Sequence, residues 1–407
     1  MNFFRKLLCC AGLGLFLSFS MNGQDIQKQL QTQFIMAEAG DTIMVPAGKH
    51  EIVSGLSMDE KENIVIQGAG KEKSILSFKG QKEGAEGIRI ANSKNIEIRG
   101  LTVENAKGDA IKVLDTEGIT FFDVQTSWTG KPKKTNGAYG LYPVGCTNVM
   151  IDQCVAFGAS DAGIYVGQSH NIVVKNSVAH HNVAGIEIEN STMADVFNCE
   201  AYENTGGILV FDLPDLPKKQ GGNVRVYKNK VWENNYKNFA PKGNSVSHVP
   251  PGTGVIVLAS KDVEIYDNDI IDNRTAGTAI ASYYIFEIPI KDEAYNPYPN
   301  SIYIHDNRYS RKAVKPTFKN KIGLLLFTKF RKDVPDILYD GILDKDILDE
   351  NGAMQPSYRI CIRNNGSATF ANMDLGNGAK NIQQDIESYD CERASLASPS
   401  ISAKAGK

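Results

Sequence analysis

One phrase returns along most of the chain: a short alternating strand, a polar turn holding Asn, then a strand led by Gly. The first strand of the phrase opens at Asn63, Asn95, Gly118, Asn148, Asn171, Met193, Asn223, Asp262 and Ser301. Asn148, Asn171 and Met193 stand 23 and 22 residues apart, which sets the length of a bare coil. Wider intervals are that coil with a loop inserted. The Gly-led strands keep step, from Glu86-Gly-Ile-Arg-Ile90 through Ala162-Gly-Ile-Tyr-Val166 and Ala184-Gly-Ile-Glu-Ile188 to Thr253-Gly-Val-Ile-Val257. Repetition at a fixed period of this size predicts a solenoid, and period-two alternation places the Ile and Val column inside. A coil of this length is too short for a strand, a helix and a return, but it fits three short strands and their turns.

The expected fold is therefore all-β: a single-domain right-handed parallel β-helix of about ten coils, near 50 Å long at about 4.8 Å per strand. A solenoid must cap its ends. A helix over residues 25–39, with Ile26, Leu30, Phe34 and Ile35, and a first strand over 41–45 supply the N-terminal cap. At the far end Leu324 to Phe327 reads as a strand, and residues 358–362 and 368–372 close the stack. The expected organisation is a signal peptide over 1–23, the solenoid with its caps over 24–392 and a disordered tail over 393–407, rich in Ser, Ala and Lys.

Asn105, Asn182, Asn204, Asn234 and Asn273 precede Gly-led strands, where Asn tolerates left-handed dihedrals and its amide can bond the same amide one coil away. Asn229, Asn268 and Asn307 form a second set. Both are expected to be internal ladders. Phe157, His180, Tyr202 and Trp232 form an aromatic stripe in step with the coils, expected to stack on itself.

Arg5 and Lys6, the apolar run to Phe19 and the small residues before Gln24 read as a secretory signal cleaved near Gly23, so the expected location is extracytoplasmic, periplasmic or secreted. The run is shorter than the roughly 20 residues a spanning helix needs, so the chain is not expected to be an integral membrane protein. Beyond it lie Cys146, Cys154, Cys199, Cys361 and Cys391, an odd number, with Cys361 and Cys391 the candidate bridge. A net charge of −3 with no clustered basic face excludes a nucleic-acid partner.

On these repeats residues 41–310 resemble the pectin-lyase-like superfamily of right-handed parallel β-helices. The resemblance implies the fold and leaves function open among polysaccharide lyases, glycoside hydrolases, sugar epimerases and proteins without catalysis. A local match is to mannuronan epimerases, whose motif reads Tyr-Gly-x-Asp-Pro-His-Asp. Here the run is Tyr139-Gly140-Leu141-Tyr142-Pro143-Val144-Gly145. Tyr139, Gly140 and Pro143 agree, while Tyr142, Val144 and Gly145 replace the two acids and the His, so the activity is not carried over.

Loops over residues 130–137, 213–221, 236–252 and 286–300 flank the Gly-led strands, and inserted loops on a rigid scaffold mark a working face. Between them the outward positions Arg89, Lys112, Tyr142, Tyr165, Glu187 and Leu209 stack one per coil, beside a second row with Val144, Glu189 and Phe211. This predicts a trough for a polysaccharide or other glycan. A lyase or epimerase needs a base beside a uronate carboxylate and a cation or donor for the developing charge. Lys112, Tyr142, Tyr165 and Glu187 are the candidates for that chemistry, and Arg89, Glu189, Phe211, Asp212, Lys242 and His248 for holding the substrate. No motif specifies a metal or cofactor, calcium included. The alternative is a non-catalytic envelope protein whose solenoid is a binding or scaffolding surface.

Overall fold

The computed structural model describes residues 23–317 and 320–401; the expected signal peptide lies almost wholly outside them. The chain winds as a right-handed parallel β-helix. Eleven described strands build one sheet, running from Ser54–Asp59 to Phe370–Asn372 and including Ala162–Gly167, Ala184–Glu189 and Gly206–Phe211. Nineteen others build the other wall, two to each regular coil, as in His170–Lys175 and Val178–His180. Successive coils pair in parallel and in register: Ile164 lies beside Ile186, then Ile208, then Val255. The aliphatic column this makes is wholly buried, and truncating one such Ile to Ala costs about 2–5 kcal/mol.

The residues that open the repeated strands are the ones that bend the backbone. Asn63, Asn95, Asn148, Asn171, Met193, Asn223, Asp262 and Ser301 all have φ between 50° and 61°. Asn is favoured in that left-handed region because its short polar side chain bonds locally. Along this edge Asn95 donates to Asn63 at 3.0 Å, and Asn171 donates to Asn148. Met193 interrupts the row.

The internal ladders form as expected for Asn182, Asn204, Asn234 and Asn273, each amide bonded to the next at 2.9–3.1 Å and to a main-chain carbonyl. Asn229, Asn268 and Asn307 do the same and extend to Asn365. Asn105 is outside the ladder; its side chain accepts from Thr129 instead. The aromatic stripe stacks on itself, with His180 on Tyr202 at 5.1 Å and 2°, and Tyr202 on Trp232 at 4.6 Å and 16°.

Helix α1 (Gly23–Met36) covers the first coil, burying Ile26, Leu30 and Phe34 at four-residue intervals while Ile35 faces outward. The Gln31 side chain accepts from the Ser57 N–H and donates to the Ser57 carbonyl, both at 2.9 Å. It thereby pairs part of an edge strand that would otherwise template another chain.

One expectation at the far end is corrected. Leu324 to Phe327 belong to a helix, α2 (Lys321–Phe330), whose N-cap Asn320 accepts from the Gly323 N–H at 2.7 Å. Residues 393–401 run along the outside of the nineteen-stranded wall. Polar side chains of the coils hold them: Glu264 accepts from the Leu396 N–H, Arg225 donates to the Leu396 carbonyl and to Ser398, and Asn171 exchanges two bonds with Ser400. Cys361 and Cys391 are bridged just before this segment. Cys146, Cys154 and Cys199 are buried, free thiols that burial pushes up to about 12. No described helix is long and apolar enough to cross a membrane.

Candidate functional site

Strand alternation puts the expected outward row where the sequence places it. Arg89 lies beside Lys112 and Lys112 beside Tyr142. Farther on, Tyr165 lies beside Glu187 and Glu187 beside Leu209. The parallel row takes Glu189 to Phe211.

The row is not an open trough along its length, and this is the main correction to the sequence reading. The loops over residues 213–221, 236–252 and 286–300 fold over the eleven-stranded sheet. Leu213, Phe239, Val246, Val249 and Tyr295 pack on Tyr165, Leu209, Phe211 and Ile256 as a second apolar cluster outside the solenoid. Tyr165, Glu187, Glu189, Phe211 and Asp212 are consequently buried, with Glu187 at 1% exposure. The loops carry enough apolar side chains to bury the outward face of the strands they connect. Arg89, Lys112 and Tyr142 remain half-buried at the edge of this roof.

At that edge three phenol rings meet. Tyr139 stacks on Tyr142 with centroids 4.1 Å apart and planes at 9°, and Tyr165 lies 4.9 Å from each. The Lys112 ammonium stands 5.2 Å from the centre of the Tyr142 ring, within cation–π range. It is 3.7 Å from Glu86 and 3.6 Å from Asp109.

Behind the rings is a set of carboxyl groups. The Tyr165 hydroxyl donates to Glu189 at 2.5 Å. Asp161 accepts from the Asn244 side chain, on the roof, at 2.8 Å, and the Tyr139 hydroxyl bonds it as well. One oxygen of Glu187 is buried without a hydrogen-bond partner, as is one of Asp212.

Burial disfavours the charged form of each acid. It raises Asp161 and Glu189 to about 7, Asp212 to about 7 and Glu187 well above the carboxylate range, with neighbouring carboxylates adding to the effect on Asp161, Glu187 and Glu189. Burial also raises all three phenols, so they are neutral donors at ordinary pH. The arrangement offers proton donors and acceptors poised near neutrality, with a lysine cation beside them.

The remaining expected substrate residues are elsewhere. Lys242 is exposed on the outside of the roof, and His248 packs against Phe286 at 4.9 Å on the far side of it. Tyr139, Asp161, Asp109 and Asn244 were not singled out from sequence as site residues. Tyr139 stood in the matched motif, and Asp161 occupies the turn position just before a Gly-led strand. Among the described residues no group of three or more His, Cys, Asp or Glu has the geometry to hold a metal ion.

Residues 86–237 match the family described as Right handed beta helix region, a span that carries Lys112, the three tyrosines and most of the carboxyl cluster. No curated protein matches the chain in sequence. Among solved structures, the chain is similar to the Azotobacter vinelandii mannuronan C-5 epimerase AlgE6 A-module. The identity is 16% and the TM-score 0.55, over 78% of this chain and 75% of that one. It is also similar to the AlgE4 A-module of the same organism, with 16% identity and a TM-score of 0.49 over 71% and 84% of the two chains. A third similar structure is DFA-IIIase from Arthrobacter chlorophenolicus A6, with 11% identity and a TM-score of 0.48 over 71% and 75%. The first of these supports the right-handed parallel β-helix fold.

Proposed function

We propose that this protein binds or modifies an acidic polysaccharide, in an extracytoplasmic compartment, at the edge of the roof where Lys112, Tyr139 and Tyr142 meet. The observation that carries the reading is a lysine set over a group of three neutral phenols, two of which bond carboxyl groups that burial raises to about 7. The similar epimerase A-module, named for mannuronan, shares the fold, and Tyr139 stands in the run that resembles the epimerase motif.

The chemistry this favours is proton exchange beside a uronate carboxylate. Arg89 and Lys112 offer positive charge for the sugar acid and for the enolate-like charge that builds up when the neighbouring proton leaves. A group with a pKa near the working pH is the best compromise between being free to accept a proton and being strong enough to take it. Asp161 and Glu189 satisfy that condition, and the phenols hydrogen-bonded to them can pass a proton between carboxyl and substrate. A lyase results if the leaving group departs, an epimerase if the proton returns on the other face.

A second reading, binding without turnover, is favoured by the roof over Tyr165 and Glu187 and by the replacement of two acids and a His at Tyr142, Val144 and Gly145. The two are separated by incubating the protein with uronate polysaccharides, following unsaturated product by ultraviolet absorbance and epimerisation by proton NMR. Turnover lost in Tyr139→Phe and Lys112→Ala supports the enzyme. Binding without turnover supports the second reading, and neither binding nor turnover overturns both.

A further inference from the structure

Two coils past the acid cluster, the outward side chains of the eleven-stranded sheet become small. In register, Leu209 is followed by Ile256 and then Ala279, and Phe211 by Leu258 and then Ala281. The step from branched or aromatic side chains to single methyl groups leaves a hollow above the strand Ala276–Ala281. Helix α2 closes it with Ile322 and Leu325, and the loop side closes it with Phe286. The cavity has a volume of about 780 Å³, within the range of about 300–1,000 Å³ usual for small-ligand sites.

Most of its polar groups are already committed to the protein, with Ser247 and the exposed His248 at its rim besides. Lys321 is paired with Glu287, Asp340 accepts from the Ser282 N–H and hydroxyl at 2.7 Å each, and Thr253 donates to the Pro250 carbonyl at 2.9 Å. Asn320 is used as the α2 cap. The charged pair at the mouth neutralises itself, Asp340 is held by Ser282, and the rest of the lining is mainly apolar, which favours an uncharged occupant. Toward solvent the apolar character continues: Leu324, Tyr284 and Ile288 are exposed by 53, 43 and 41%.

We propose that this cavity is a binding site for an uncharged hydrocarbon chain, such as the alkyl or acyl portion of a larger molecule. An apolar cavity gives water few partners and gains the full transfer free energy of the apolar group that enters it. The site is separate from the phenol and carboxyl cluster and does not depend on what that cluster does.

The test is titration of the purified protein with N-phenyl-1-naphthylamine, a neutral fluorophore that brightens in apolar surroundings, followed by displacement with dodecanol. Saturable binding at one site per chain, displaced by dodecanol and weakened at least tenfold in Ala279→Leu/Ala281→Leu, is the expected result. Circular dichroism checks that the variant folds. Should the double variant fail to fold, Ala279→Leu alone carries the test, because residue 279 is half-exposed and the added methyls enter the hollow. Absence of saturable binding in the wild type, or unchanged affinity in a folded variant, overturns the proposal.

Discussion

The Tyr165 hydroxyl meets the Glu189 carboxylate at 2.5 Å across a single strand-to-strand step, and both groups are buried by loops inserted far along the chain. Removing the hydroxyl with Tyr165→Phe leaves a buried carboxyl short of its donor. The expected loss of stability is about 1–3 kcal/mol, read from denaturant unfolding. Because that bond holds the Glu189 pKa down, its loss should raise the pKa above the present value of about 7, read by carboxyl carbon NMR.

Stability should depend on pH through the same group. Glu189 ionises at about 7 in the fold against about 4.5 when free, so the folded state holds a proton that the unfolded state has released. Its contribution is full below about pH 4.5 and is lost as pH rises through 7. Between those limits stability falls as the pH rises. Glu189→Gln cannot titrate, so the difference between wild-type and variant stability should change across pH 4.5 to 7 and stay flat above it. A difference independent of pH would contradict the assignment.

The outer row of asparagines is broken at Met193, which holds φ at 59° between Asn171 and Asn223. Met193→Asn relieves the left-handed strain of a long side chain and offers the missing amide to its neighbours. A gain of about 1 kcal/mol is expected, measured as a higher denaturant midpoint with unchanged slope.

In the buried ladder, Asn204 donates to Asn234 and to the Ala179 carbonyl, and accepts from Asn182. Asn204→Ala strands several groups at once. It should cost about 2–4 kcal/mol, more than the same change at the less connected Asn105. Parallel thermal unfolding of the two variants checks the ordering.

The coil length, the inward Ile and Val column and most of the asparagine ladders were legible because each depends on local spacing, whereas spacing alone offered Cys361 and Cys391 only as a candidate bridge. Asn148 and Asn171 are neighbours in space for the same reason that they are 23 residues apart in sequence. Helix α2 was misread because four apolar residues, Leu324 to Phe327, fit either period; the informative signal was the capping Asn320 just upstream. The roof was illegible for a different reason. Phe239, Val246 and Val249 show no periodicity, and nothing in their spacing says that they will descend on Tyr165 and Leu209. Asp161 was passed over because it faces the site only once the turn at Ser160 has been built.

The segment over residues 393–401 changes how the whole rod should come apart. In a stack where each circuit touches only its neighbours, melting is free to start at an end and peel inward. Here one ribbon of main chain is laced to Asn171 and, two circuits on, to the paired neighbours Arg225 and Glu264, so it links circuits that do not pair directly with one another. Peeling the terminal circuits must first unlace the ribbon, so the C-terminal half is bound to fail as a block, and the end closed by α1 is left as the place where fraying begins.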